Sequence, residues 1–501
     1  MPVATSPFQH RGVVEGFYGK PLAAEDRRWL VERLGSWGMN LYLHAPKDDP
    51  WHRARWRERY PAHEIEEFAA LVACGERAGA GVSVGFAISP GLSIEYGSRA
   101  DREALAAKLA SFRAIGSRWF ALALDDVPSE LVHAADRRAF RSLAAAHVAV
   151  AHELAEALGP DTTLWLVPTD YLGTAATDYL EELGGALDPR IEVGWTGRTV
   201  VSPTITAAET AARAATLRRP VLVWDNVPAA DGPMRPMLHL GPYAGREPAI
   251  AQHASGVVLN PMERIRASAP ALATAARFLA DPDGYDAEAA WRDALSETGA
   301  GAPEAFALFA AAHRFSATAP ADRDAELEGA IDALSRALAA ARDPAPALAA
   351  LGHALAARAD VTDALRHGLS DARLREEIEP WIAAHGIETR RMRAALRALE
   401  AFFGEGSRSA QVLAFFAMQG ALSREPCPPQ ASYGPRRVLY PQLASMRDDA
   451  MGFGSDPALV TGACLADDLV ELAERVALDR FSLRSQVARS EPKASEDQQG
   501  G

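Results

Sequence analysis

The sequence predicts an α/β fold: a (β/α)8 barrel followed by an all-α helical bundle. Three observations carry this expectation. Eight short apolar runs alternate with seven or eight stretches of helical spacing over residues 11–280, the size of such a barrel. The apolar runs are continuous rather than alternating, as in strands covered on both faces. Beyond about residue 281, runs of β-branched and aromatic residues cease and Ala, Leu and Arg dominate at three- and four-residue spacing, the signature of packed helices.

The elements follow in order. Residues 11–15 form the first strand, running into a glycine-rich loop with Gly16 and Gly19, where the backbone can approach closely or take positive φ. A phosphate loop is excluded because no Lys-Ser/Thr follows. Residues 21–34 read as a helix and 39–45 as strand two, ending in Pro46-Lys47-Asp48-Asp49-Pro50. Helix 64–80, strand 82–88 and helix 99–115 come next. Strand four, Trp119 to Leu124, stops at two adjacent carboxylates, Asp125 and Asp126. Helix 136–158, strand 163–167, helix 175–187, strand 191–195, helix 207–217 and strand 220–224 continue the alternation. A long loop carries Asp231; strand 256–259 and helix 263–279 close the set.

The remaining chain reads as a helical domain over 281–425, an irregular and helical segment over 426–484, and a polar, disordered tail over 485–501, with residues 1–10 as a flexible start. About five helices are expected from 302 to 403, with Pro344, Pro346 and Pro380 each limiting a helix or opening its first turn. One more is expected over 407–422, and one or two over 456–479.

Composition narrows the function classes. The formal net charge is −14, which argues against nucleic acid or an anionic membrane as the main partner. Three dispersed cysteines and the absence of a signal-peptide core or an apolar run of membrane-spanning length point to a cytoplasmic protein. His44 and His52 lack ligand partners at metal-site spacing, so no metal and no cofactor is expected. There is no Gly-x-Ser-x-Gly elbow and no dinucleotide fingerprint.

At the strand ends stand Glu15, Lys47, Asp125, Asp126, Tyr171, Asn226 and Asn260, with Asp231 on the loop after strand seven. In a barrel these points converge on one mouth. Carboxylates in a polar cup suit glycoside hydrolysis. Adjacent strand residues diverge, whereas an ordinary retaining pair must sit ~5 Å apart across the scissile bond. Neighbouring acids fit better a scheme in which the substrate's own 2-acetamido group attacks: one acid manages that group and the other protonates the leaving oxygen.

Gly12-Val-Val-Glu-Gly-Phe-Tyr-Gly19, Ala45-Pro-Lys-Asp-Asp-Pro50, Ala87-Ile-Ser-Pro-Gly91, Leu124-Asp-Asp-Val127, Pro168-Thr-Asp-Tyr171, Trp195-Thr-Gly197, Trp224-Asp-Asn226 and Leu259-Asn-Pro261 occur in that order. Together they resemble glycoside hydrolase family 84, the family of protein O-GlcNAcases and related bacterial β-N-acetylglucosaminidases. The resemblance covers residues 11–280; Ala230-Asp231-Gly232 and Met262 depart from its usual pattern. It implies a retaining β-N-acetylglucosaminidase that removes terminal β-linked GlcNAc through an oxazoline. Asp125 would guide the acetamido group, and Asp126 would be general acid and then base. Tyr171 would steady the acetamido oxygen, Asn226 would orient it, and Trp224 would line the methyl pocket. The Gly16 carbonyl, Lys47, Asp231 and Asn260 would hold sugar hydroxyls. The expected partner is a GlcNAc glycoside or O-GlcNAc-modified protein, and the exposed helical region could pair two chains. The rival expectations are a hyaluronan-type hexosaminidase and a non-catalytic glycan-binding scaffold.

Overall fold

The computed structural model describes residues 6–79, 81–319, 322–425, 427–434 and 464–490. Eight parallel strands close a barrel in chain order. They are β1 (His10–Glu15), β2 (Leu41–His44), β3 (Ser83–Ile88), β4 (Trp119–Ala123), β5 (Thr163–Val167), β6 (Glu192–Trp195), β7 (Val221–Asp225) and β8 (Ala254–Leu259). Parallel neighbours need a crossover, and helices supply it: α1 (Ala24–Ser36), α2 (Ala62–Arg77), α3 (Arg99–Ala114), α4 (Ala134–Ala139), α5 (Leu143–Leu158), α6 (Asp178–Ala186) and α7 (Ala207–Leu217), with α8 (Ala269–Ala280) after β8. The barrel and the helical region after it are as expected.

Strand parity fixes what the barrel presents at its mouth. Side chains alternate between the interior and the helical layer. Val14, Leu43, Ala45, Ala121, Ala123, Trp165, Val167, Leu222, Trp224 and Val258 fill the interior. Val13, Tyr42, Phe86, Phe120, Leu122, Leu166, Val223 and Leu259 face the helices. The interior is unusually aromatic. Trp119 and Trp165 lie 6.2 Å apart and Trp165 and Trp224 5.5 Å apart, a column up the barrel. Glycines make room for it: a Cβ on Gly194 would sit 2.7 Å from Trp165 Nε1.

Helix ends follow local chemistry. Thr206 and Glu209 form a capping box that starts α7. The helix expected over 136–158 is broken in two. Phe140 is extended, and the Ser142 hydroxyl accepts from the Ala145 N–H at 3.0 Å to begin α5 anew. Asp136 in α4 instead takes the amides of Tyr96 and Gly97 at 3.1 and 2.7 Å.

The helical region comprises α9 (Ala287–Thr298), α10 (Pro303–Ala311), α11 (Ala325–Ala339), α12 (Ala345–Ala357), α13 (Val361–Gly368), α14 (Ala372–Phe403), α15 (Arg408–Arg424) and α16 (Leu465–Ser490). Pro380 does not limit a helix. It lies inside the 32-residue α14. It is exposed, so the missing N–H and its solvated partner carbonyl are tolerated, while Leu374, Ile378, Trp381 and Ile382 keep the helix packed. Helix α16 passes residue 485, where a polar tail was expected to begin. Residues 1–5, 435–463 and 491–501 of the expected start, irregular segment and tail lie outside the described residues.

Helix α14 joins two cores. Its N-terminal half packs with Leu238, Leu240 and Met262 from barrel-mouth loops. Met392, Leu399 and Phe402 in its other half pack with Leu327, Leu351 and Leu469. The loop between β7 and β8 is clasped from the helical side. Trp381 Nε1 donates to Pro236 O at 2.9 Å, and Ala431 N donates to the same oxygen at 3.0 Å. Trp291 Nε1 donates to Leu240 O at 2.6 Å. No helix among the described residues is long and apolar enough to cross a membrane.

Candidate active site

The inward parity of the strands, carried two residues past the interior, delivers a set of polar groups. Val14 leads to Gly16, Ala45 to Lys47, Ala123 to Asp125, Trp224 to Asn226 and Val258 to Asn260. All five, with Asp126, Tyr171, Trp224 and Asp231, line one cup at the C-terminal mouth. Tyr18, Val167, Thr196, Val200, Val201, Ala229 and Met234 complete its wall.

By parity Asp126 should turn away from the cup. Its backbone instead takes a left-handed conformation, φ +53°, which non-glycine residues adopt rarely and Asp more readily than most. The turn brings two consecutive carboxylates to the same opening. Such a backbone costs on the order of 1 kcal/mol and persists where its surroundings over-determine it. Here Tyr18 OH lies 3.0 Å from Asp126 Oδ2, Tyr171 OH 3.4 Å from Oδ1, and Lys47 Nζ 3.7 Å from Oδ2.

Asp125 is buried and Lys47 Nζ donates to its Oδ2. Its Oδ1 is buried and has no partner in the protein. Burial disfavours the Lys47 charge, but Asp125 and then Asp126 outweigh it and hold the ammonium above the ordinary lysine value. Burial likewise raises the Tyr171 hydroxyl, reinforced by Asp126, so the group remains a donor through neutral pH.

The opposite wall is an amide chain. Gly16 N–H donates to Asn260 Oδ1 at 3.1 Å. Asn260 Nδ2 and Trp224 Nε1 both donate to Asn226 Oδ1 at 2.9 Å. Asn226 Nδ2 donates to Val200 O at 2.6 Å, leaving one N–H for a ligand. Asp231 Oδ2 accepts the Tyr18 N–H at 2.7 Å. Burial raises its carboxyl, against that hydrogen bond.

A family model described as beta-N-acetylglucosaminidase matches residues 11–311. The chain belongs to that family. It is similar to the protein O-GlcNAcases of Rattus norvegicus and Mus musculus, each 38% identical over 273 residues. That stretch is 53% of this chain and 29% of theirs, so less than a third of the curated relatives' length is matched. An O-GlcNAc hydrolase mutant from Thermobaculum terrenum superposes with a TM-score of 0.80 at 27% identity, over 97% of each chain. The protein is a glycoside hydrolase of family 84.

Within this glycosidase the nine residues singled out from the sequence share the cup. Glu15, expected at the mouth, does not. Val14 points inward, so Glu15 points outward, fully buried between barrel and helices. It accepts from Leu22 N at 2.8 Å, from Arg27 Nε and Nη2 at 2.9 and 3.1 Å, and from the Tyr42 hydroxyl. Burial opposes its charge; Arg27 outweighs that and holds it well below the usual carboxylate range. Tyr18 sat inside a quoted motif without a role. The signal was its placement two residues past Gly16, at the rim. Asp225 is structural: Arg246 holds it at 2.6 and 2.7 Å and Tyr243 OH at 2.8 Å.

Proposed function

We propose that the enzyme removes terminal β-linked N-acetylglucosamine with retention, using the substrate's acetamido group as nucleophile. The observation that carries this reading is the Asp125 carboxylate, which is neutralised by Lys47 on Oδ2 while Oδ1 is left without a donor. A buried acceptor without a partner is costly. An acetamido N–H placed there satisfies it and turns the amide oxygen toward C1. A carboxylate this deep and this paired is a poor nucleophile in its own right.

The steps follow from the geometry. Asp125 accepts the acetamido N–H, and the amide oxygen attacks C1. Asp126 gives its proton to the glycosidic oxygen as the C1–O bond breaks. Tyr171 donates to the acetamido oxygen, and Trp224 walls the methyl group. Asn226 offers its remaining N–H to the acetamido group. The Gly16 carbonyl, Lys47, Asp231 and Asn260 meet the ring hydroxyls. The Asp126 carboxylate then takes a proton from water, which opens the protonated oxazoline (its N–H still held by Asp125) at C1 and restores the β configuration. The substrate is a β-GlcNAc glycoside or an O-GlcNAc-modified protein, in a cytoplasmic setting. The similarity to protein O-GlcNAcases and to an O-GlcNAc hydrolase favours the modified protein.

The test is hydrolysis of aryl β-GlcNAc by wild type, Asp125→Asn and Asp126→Asn. Both variants lose most activity, by about 100-fold or more for the acid, and Asp126→Asn loses least with a good leaving group. An N-trifluoroacetyl substrate, whose amide oxygen is a weaker nucleophile, reacts more slowly. Unchanged rates with that substrate would remove acetamido participation. Equal activity in all three proteins would show that the two aspartates are not the machinery, and no hydrolysis by any of them would leave the barrel a glycan-binding scaffold.

A further inference from the structure

Tyr18 stands at the cup rim, 38% exposed, and its hydroxyl lies between two groups of opposite kind. On one side Arg53 Nη1 is 3.3 Å from it, with the guanidinium 5.7 Å from the ring centroid. On the other side is Asp126 Oδ2 at 3.0 Å. Arginine carries donors only. The Tyr18 oxygen therefore accepts from Arg53, and its single proton points to Asp126.

The tyrosine is held in this place by its own backbone. Its N–H donates to Asp231 Oδ2, and the next amide, Gly19 N–H, donates to Asp48 Oδ2 at 2.9 Å. Among the described residues, the charged and titratable groups facing Asp126 are Lys47, Tyr18 with Arg53 behind it, Tyr171 and the neighbouring Asp125.

We infer that Tyr18, polarised by Arg53, is a positioning residue of the acid/base carboxyl: it occupies Asp126 Oδ2 with a donated hydrogen bond and leaves Oδ1, which the Tyr171 hydroxyl approaches at 3.4 Å and gives up when it donates to the acetamido oxygen, as the atom that carries the working proton. The inference rests on the reading of Asp126 as general acid. In glycosidic cleavage the proton on Oδ1 passes to the leaving oxygen, which keeps the electron pair of the broken C1–O bond. Asp126 is left as a carboxylate. The Tyr18 hydrogen bond is stronger to that carboxylate than to the neutral acid, so it makes Asp126 a stronger acid in the transition state. In the second half the same oxygen, Oδ1, takes the proton of the attacking water.

The experiment compares wild type, Tyr18→Phe, Arg53→Met and Arg53→Lys in the full chain. It measures the pH profile of kcat/KM and the rates on an alkyl and a dinitrophenyl β-GlcNAc. In Tyr18→Phe the carboxylate loses a donor, so the alkaline limb moves up by about one pH unit. Alkyl glycoside hydrolysis falls about tenfold, the scale of one hydrogen bond to a charged group, and dinitrophenyl hydrolysis falls less than about threefold. Arg53→Met shifts both in the same direction by less, and Arg53→Lys, still a pure donor, restores the wild-type limb. Limb position and rate ratio do not depend on how much of a variant folds. An unmoved limb with equal losses on both substrates would overturn the inference and make Tyr18 a rim contact. Hydrolysis of neither glycoside by wild type would overturn the functional reading, and the inference with it.

Discussion

Gly16→Ala probes the packing that the cup depends on. A Cβ at this position would lie 2.3 Å from Trp224 Cζ2 and 2.8 Å from Cη2. To regain an ordinary contact near 3.4 Å the indole must retreat by about 1.1 Å. It has nowhere to go. Its Nε1 is bonded to Asn226, its ring packs on Trp165, and it is 6% exposed. Moving it drags Asn226 and then Asn260, because both share the same amide oxygen. Overpacking of this kind costs about 1–3 kcal/mol of stability. A shift of about 1 Å in a group that fixes substrate geometry costs about 100-fold in rate. The assay is kcat/KM on an aryl β-GlcNAc, with thermal unfolding as control. Activity falls about 100-fold at a temperature where the variant is fully folded. The double variant Gly16→Ala/Trp224→Phe, whose smaller ring vacates the clash, recovers part of the lost stability. Activity within about threefold of wild type in Gly16→Ala would refute the packing argument.

Two further perturbations follow from the charges. Lys47→Met leaves the Asp125 carboxylate buried without its cation, a loss on the scale of about 3–5 kcal/mol for breaking a buried pair, reduced by the open cup; the acid limb of kcat/KM moves to higher pH. The raised Lys47 pKa means that its stabilising contribution is complete below the ordinary lysine value near 10.4 and is lost as pH rises beyond it. The stability gap between wild type and Lys47→Met, read by denaturant titration, therefore stays constant from neutral pH to about 10 and narrows above it; a gap that widens there contradicts the assignment. Glu377 in α14 accepts from Ala267 N at 3.0 Å, and its carboxyl is pushed up to about 8, by burial first and then by Asp26. A carboxyl raised in the fold destabilises as pH climbs from its unfolded value toward 8, so Glu377→Gln, which keeps the acceptor, gains about 4 kcal/mol at pH 8.5 and less than about 1 kcal/mol at pH 5. An equal gain at both pH values, measured by calorimetry, would show that the carboxyl ionises freely.

Much of the fold was legible because apolar runs and their breaks report strands and helices directly. The cup was legible because a barrel gathers strand ends, so Lys47, Asp125, Asn226 and Asn260 needed only their place in the chain. Glu15 was misplaced for a reason available in the sequence: it is one residue out of phase with Val14 and Gly16. The joint entry of Asp125 and Asp126 was not available, since it turns on one left-handed backbone that no periodicity encodes. Phe140 and Ser142 broke a helix that spacing alone ran through, because a hydroxyl cap competes with propagation only once Asp136 is committed elsewhere. Pro380 passed inside a helix because tertiary packing on both sides outweighed one missing hydrogen bond. Tyr18 escaped notice because its significance lies in two partners 35 and 108 residues away.

The clasp on the loop between β7 and β8 bears on how the chain can be cut. A fragment ending at residue 311 would keep every one of the nine cup residues and the whole matched family segment. It would nevertheless lose Trp381 and Ala431, the two donors that grip Pro236 five residues beyond Asp231. The carboxylate that seats Tyr18 would then ride on a strand-to-strand connection with one side undone. The helical region is thus a splint for the rim, and a chain cut at residue 311 is expected to hold Asp231 and Tyr18 less firmly.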